Sequence, residues 1–184
     1  AYFDIEEEDR EATIKEKLRG RMRELDESIE VVPPALHEVF SLKVEDEKYP
    51  QLGPQQRRER TFEAIRDLLV RESQQKPLIL AVEDLHWIDK TSEEFLDYLI
   101  GWLANTPILM ILLYRPEYTH QWGSKSYYTK IGLDQLGTAS SSELVKAILE
   151  AGEVAPELKQ LILNRAAGNP LFIEEFTHTL LENG

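Results

Sequence analysis

Two short runs of branched apolar residues, each halted by charge, constrain the fold of this chain more than any other feature. The first, Pro77 to Val82 (PLILAV), ends in Glu83 and Asp84; the second, Ile108 to Tyr114 (ILMILLY), ends in Arg115 and Pro116. Runs of this length without polar alternation predict strands buried on both faces of a parallel sheet. Between them, Phe95, Leu99, Trp102 and Leu103 recur at helical spacing behind Thr91 to Glu94, which reads as a capping box, and Asn105-Thr-Pro107 breaks the helix. A strand, a helix and a second strand form a βαβ unit, whose parallel strands deliver their carboxyl ends to one rim. Glu83, Asp84 and Arg115 are therefore expected together.

Those residue types suit phosphoryl chemistry. One carboxylate can hold a hydrated Mg²⁺ while its neighbour orients a water. The plainer reading is a solvated strand end. Arg115 at the same rim either meets a γ-phosphate or pairs with the acids, and the sequence leaves both open.

The run after the first strand, Glu83-Asp84-Leu85-His86-Trp87-Ile88-Asp89, resembles the Walker B segment of the signal-transduction ATPases with numerous domains. These are AAA-related switch modules found in large bacterial regulators and beside class III nucleotide-cyclase domains. The resemblance implies Glu83 at magnesium, Asp84 polarising the attacking water, and Arg115 at the sensor position within Tyr114 to Tyr118 (YRPEY). Here the acids run Glu then Asp, where many such sites place Asp first. A second segment, RAAGNPLFIEEF from Arg165 to Phe176, is similar to the GxP signature in the helical lid of these ATPases, which implies Gly168, Asn169 and Pro170 near the adenine. Read locally, the same three residues are helix punctuation: a left-handed glycine, a capping asparagine and a first-turn proline. By resemblance, the intact protein uses ATP and Mg²⁺ and hydrolyses ATP.

No G-x-x-x-x-G-K-[ST] loop occurs in the 184 residues. Gly123-Ser-Lys125-Ser126 imitates only the tail of such a loop, and neither a strand before it nor a helix after it is predicted. Losing about four charge-assisted hydrogen bonds of roughly 1.5–3 kcal/mol each outweighs much of the roughly 8 kcal/mol that micromolar binding represents. The chain is thus expected to look like the family domain without its front, to bind no ATP measurably in this form, and to carry no cofactor of its own. Its third predicted strand, Tyr128 to Leu133, would lack a neighbour, so a rearranged sheet or a homodimer through an exposed edge is expected.

The remaining pattern is helical. Ile14, Leu18, Met22 and Leu25 mark an amphipathic helix over 6–26; Pro33-Pro34 opens another over 35–42; Gly53-Pro54 opens a third running to about Ser73. The third carries Phe62, Ile65, Leu68 and Leu69 on one face and Arg57, Arg58, Arg60, Arg66 and Arg71 mostly elsewhere, which reads as a wet surface rather than an anion site. After residue 134 come a capping box at Ser140 to Glu143, a helix from Pro156 and a helix from Pro170, with no strand between them. The expected architecture is α/β: residues 1–134 form a partial parallel P-loop-type sheet of the ASCE or AAA-like kind with flanking helices, and 135–184 a small all-helical lid.

With 34 acidic against 21 basic residues, net charge -13, the chain repels phosphate backbones, so nucleic acid is not expected as a partner. The absence of cysteine excludes disulfides, the longest apolar runs fall far short of a membrane span, and no signal peptide is evident, so the expected location is the cytoplasm. Its partners are then the other domains of a parent regulatory or signalling protein. A nucleotide-independent interaction scaffold is the alternative, and a metal-dependent hydrolase using Glu83, Asp84, His86 and Asp89 is a third reading.

Overall fold

The computed structural model describes residues 2–27, 29, 31–149 and 155–183. It divides into two compact units, one up to Tyr128 and one from Thr129 onward.

The first unit begins with α1 (Glu11–Leu25), α2 (Pro34–Val39) and α3 (Pro54–Gln75). The sequence places the start of α1 five residues too early, because the charged stretch before it folds back on itself. Asp9 accepts from the Glu6 amide (2.9 Å) and from Lys17 Nζ (2.6 Å), which turns the chain before the helix can start. Leu18, Met22 and Leu25 of α1 meet Ala35 and Leu36 of α2 and Ala64 and Leu68 of α3 in one buried cluster. The α3 arginines tie the helices together: Arg57 pairs with Glu38 of α2 (2.8 Å), Arg71 with Asp26 after α1, and Arg58 with Glu94 (2.9 Å). Each of these guanidinium groups already has a carboxylate, as the wet-surface reading requires.

Next come β1 (Leu78–Val82), α4 (Lys90–Ile100) and β2 (Ile108–Leu112). The strands pair in parallel from Leu78↔Ile108 to Val82↔Leu112, forming a two-stranded sheet. Burial on both faces does not hold. Val82, Met110 and Leu112 pack against the cluster built on Leu85, Leu96, Ile100 and Trp122, whereas Ile79 is 64% exposed, Leu109 57% and Ile111 42%. A strand alternates its side chains between faces, and α4 with the Trp122 segment covers only one of them.

The predicted third strand is also absent: residues 129–136 adopt no regular structure, with Ile131 78% and Leu133 90% exposed. A strand exists only where a neighbouring backbone completes its ladder, and this segment has none among the described residues.

The second unit contains α5 (Thr138–Ile148), α6 (Pro156–Ala166) and α7 (Pro170–Asn183), packed around Val145, Ile162, Ala166 and Ile173. The Ser140 capping box does not form. The helix begins three residues earlier, capped by Gly137, and Ser141 is buried with its hydroxyl donating to Leu136 O (3.3 Å). Among the described residues no helix is long and apolar enough to cross a membrane.

Candidate functional site

The site grows from the end of β1. Beyond Val82 the ladder continues for one more step on each strand: Leu113 N–H donates to Val82 O (2.9 Å) and Leu85 N–H to Leu113 O (3.1 Å). Between those two bonds lie Glu83 and Asp84, both exposed, so their carboxylates leave the sheet at the edge where β2 delivers Arg115. Asp84 makes the turn possible by adopting left-handed backbone angles, φ 54° and ψ 36°. Aspartate tolerates that region better than most residues because its short polar side chain can hydrogen-bond locally. Leu85 is then driven into the core at 1% exposure, a single 3-10 turn runs from Leu85 to Trp87, and Trp87 N–H closes it on Asp84 O (2.8 Å).

Asp89 ends the turn and has a structural task. Its Oδ1 accepts from the Thr91 and Ser92 amides (2.9 and 3.1 Å) and its Oδ2 from the Ser92 hydroxyl (2.6 Å), so Asp89, not Thr91, caps α4. The Ser92 hydroxyl and amide, followed by the Thr91 amide, hold the Asp89 carboxyl below the usual carboxylate range. The buried residues of α4 are Leu96, Leu99 and Ile100, and Trp102, beyond the helix end, is 48% exposed. The sequence signal was available: Asp89 lies one residue before Lys90, which is the first helical position.

Arg115 is exposed, and its guanidinium lies over the Trp87 ring, 5.5 Å from the centroid. No ion pair joins it to Glu83 or Asp84 among the described residues; the cation shares their rim without being neutralised by them. Trp87 is itself 72% exposed and stands 4.6 Å from the His86 ring. Beyond Arg115 the aromatic loop is firmly built. Tyr118 donates to Glu93 (2.6 Å), Trp122 Nε1 to Asp97, and His120 stacks on Trp122 at 4.7 Å. Burial foremost, then the Glu93 carboxylate, pushes the Tyr118 phenol up. Gly123 and Ser124 lie in a 3-10 turn of this loop, so the loop-like GSKS stretch is not a strand-to-helix phosphate cradle.

For a divalent ion, the donor set at the rim among the described residues is two consecutive exposed carboxylates. Among the described residues no group of three or more His, Cys, Asp or Glu side chains could hold a metal ion, which removes the hydrolase reading based on Glu83, Asp84, His86 and Asp89. One carboxylate with phosphate and water oxygens completing the shell is, however, the donor set Mg²⁺ ordinarily takes in nucleotide sites. The residues present fit that ion as a companion of a phosphorylated ligand, with Glu83 and Asp84 as the donors available to it.

Gly168, Asn169 and Pro170 lie in the second unit, where they form the turn from α6 to α7. Ala167 and Gly168 take positive φ (47° and 80°), and Asn169 Oδ1 accepts from the Leu171 amide (3.0 Å) and the Phe172 amide (3.4 Å). Gly168 O accepts from Leu136 N–H (2.8 Å), which fastens the turn to the chain entering the unit.

The family model described as AAA ATPase domain matches residues 5–111, which runs from before α1 into β2 and includes Glu83 and Asp84. The chain belongs to the AAA ATPase domain family. Arg115 lies beyond the matched part of this AAA ATPase domain, and Gly168 to Pro170 fall in a separate match, residues 137–184, to a domain of unknown function (DUF8739). The chain is 30% identical over 132 residues to Uncharacterized protein R02095 of Rhizobium meliloti (strain 1021). That alignment takes in 71% of this AAA ATPase domain chain and 13% of the relative, so the chain spans only a small part of that relative's length. No solved structure matches the chain.

Proposed function

We propose that this AAA ATPase domain is part of a nucleotide-driven switch of the signal-transduction kind, in which ATP binding and slow hydrolysis set the state of a multidomain bacterial regulator. Glu83 holds Mg²⁺, Asp84 orients the attacking water, and Arg115 contacts the γ-phosphate. Gly168, Asn169 and Pro170 serve as the base-contacting residues of the nucleotide-binding module. The phosphate-wrapping loop that this function requires is not among these 184 residues and is proposed to be supplied by a longer polypeptide. The protein acts in the cytoplasm, with the other domains of that polypeptide as partners.

One observation carries the reading: parallel pairing of β1 and β2 brings two exposed carboxylates and an exposed guanidinium to one rim, with the guanidinium on Trp87 rather than on the acids. A charge left unneutralised at a strand end is poised for a ligand phosphate, whereas an arginine closing an ion pair would have to be released first. The test joins the chain to a phosphate-binding loop and measures ATP-dependent stabilisation and hydrolysis. Asp84→Asn should retain nucleotide and lose turnover by at least a hundredfold; unchanged turnover would remove Asp84 from the chemistry. The 184 residues alone should give no titration heat with ATP at low micromolar concentrations.

A nucleotide-independent scaffold is the second reading. The uncovered apolar face of the sheet, with Ile79, Leu109, Ile111 and Leu113 exposed, favours it, since such a face at a sheet edge invites another polypeptide or a second copy. Recovery of one specific partner regardless of nucleotide would select this reading.

A further inference from the structure

His86 is the one residue of the 83–89 turn whose chemistry the preceding reading leaves unused. Its side chain is only 8% exposed, yet neither ring nitrogen has a hydrogen-bond partner. Buried polar groups are nearly always paired, and one that is not calls for a functional or solvent explanation. Its Nε2 lies 4.0 Å from Asp84 Oδ1, slightly too far for a hydrogen bond. The freedom to close that gap lies with Asp84, whose side chain is 65% exposed and has no other side-chain partner among the described residues. His86 itself is held: Leu85 before it is fully buried, and the Trp87 ring lies against it at 4.6 Å.

We infer that His86 is a positioning residue for Asp84. The imidazole Nε2–H donates a hydrogen bond to Asp84 Oδ1. A rotation of the Asp84 side chain brings the two together, and the carboxylate is then fixed in one orientation with its second oxygen directed outward at the rim. Without the imidazole an exposed aspartate samples several rotamers, and only some of them point an oxygen at a water in line with a phosphate. The proton stays on His86 throughout, so no bond is made or broken by this residue. The inference rests on Asp84 being the water-orienting group, but the hydrogen bond itself can be tested apart from that role.

The first measurement needs only the 184-residue chain. With ¹⁵N-labelled histidine, and His86→Gln to assign the signal, wild type should show a slowly exchanging His86 Nε2 proton that disappears in Asp84→Ala. A wild type without that proton, or one whose proton persists in Asp84→Ala, overturns the pairing. The second measurement uses the longer polypeptide that supplies the phosphate loop. His86→Leu should lower kcat tenfold or more with KM within twofold, and His86→Gln, which keeps an N–H donor of similar reach, should return kcat to within threefold of wild type. Equal kcat in wild type and His86→Leu, or equal loss in Leu and Gln, defeats the positioning role. A wild type that binds but does not hydrolyse ATP defeats the site reading instead, and the proton signal still decides the pairing.

Discussion

Replacing Gly168 by alanine makes two demands that the turn between α6 and α7 cannot meet. Gly168 sits at φ +80°, and a Cβ placed there would lie 2.5 Å from Leu136 O and 3.1 Å from Gln135 Cβ. Left-handed backbone costs a non-glycine residue about 1–2 kcal/mol. Relieving a contact with a backbone oxygen requires moving the 135–136 segment, which strains or breaks the Leu136 N–H bond to Gly168 O, about 1 kcal/mol more. The sum is about 2–3 kcal/mol, roughly 30- to 150-fold in a local opening equilibrium. Hydrogen exchange of the whole chain is the suitable assay because it reports opening segment by segment. Amides of α6 and α7 should lose protection by that factor while those of α1 and α3 in the other unit stay unchanged. Gly132→Ala, where an added Cβ meets nothing within 4 Å, is the control and should change nothing beyond about 0.5 kcal/mol. Protection in α6 and α7 within threefold of wild type would refute the argument that this turn is fixed by the absence of a side chain.

Four further outcomes are expected. Leu85→Ala, at a fully buried anchor of the 83–89 turn, should destabilise the first unit by about 2–5 kcal/mol in urea unfolding. Asp89→Ala should destabilise the chain at neutral pH and Asp89→Asn much less, because asparagine also caps. Since folding lowers the Asp89 pKa, the unfolded chain takes up the proton more readily; the wild-type advantage is complete above the ordinary aspartate value of about 3.9 and vanishes as pH falls through the lower folded value, which thermal melts across that range would record. Leu109→Lys on the uncovered sheet face should alter stability by less than about 1 kcal/mol, whereas Leu99→Lys, at 0% exposure, should unfold the unit. If the open edge pairs copies of the chain, sedimentation velocity should show a concentration-dependent dimer in wild type that Leu109→Lys abolishes.

Much of the secondary structure was legible because it rests on local rules. Proline in first helical turns marked α2, α3, α6 and α7, and the apolar runs marked both strands to within two residues of where they end. The Gly-Asn-Pro turn could be read residue by residue. The errors share a physical origin. Thr91 fits a capping box as well as Asp89 fits a cap, and only the competition between them, decided by which carboxylate reaches two amides and a hydroxyl, sets the start of α4. An apolar run likewise cannot say how many of its faces will be covered, because that depends on which layers arrive.

The residues alone determined that two strands end in acids and in an arginine, that a left-handed glycine follows α6, and that no phosphate loop lies within these 184 residues. Only tertiary structure decided that Arg115 rests on Trp87, that Asp89 is consumed as a cap, that residues 129–136 form no strand, and that His86 is buried beside Asp84 without a partner. The division follows from range: backbone preference and capping act over a few neighbours and are written in order along the chain, while pairing, burial and the sharing of hydrogen bonds depend on distant segments.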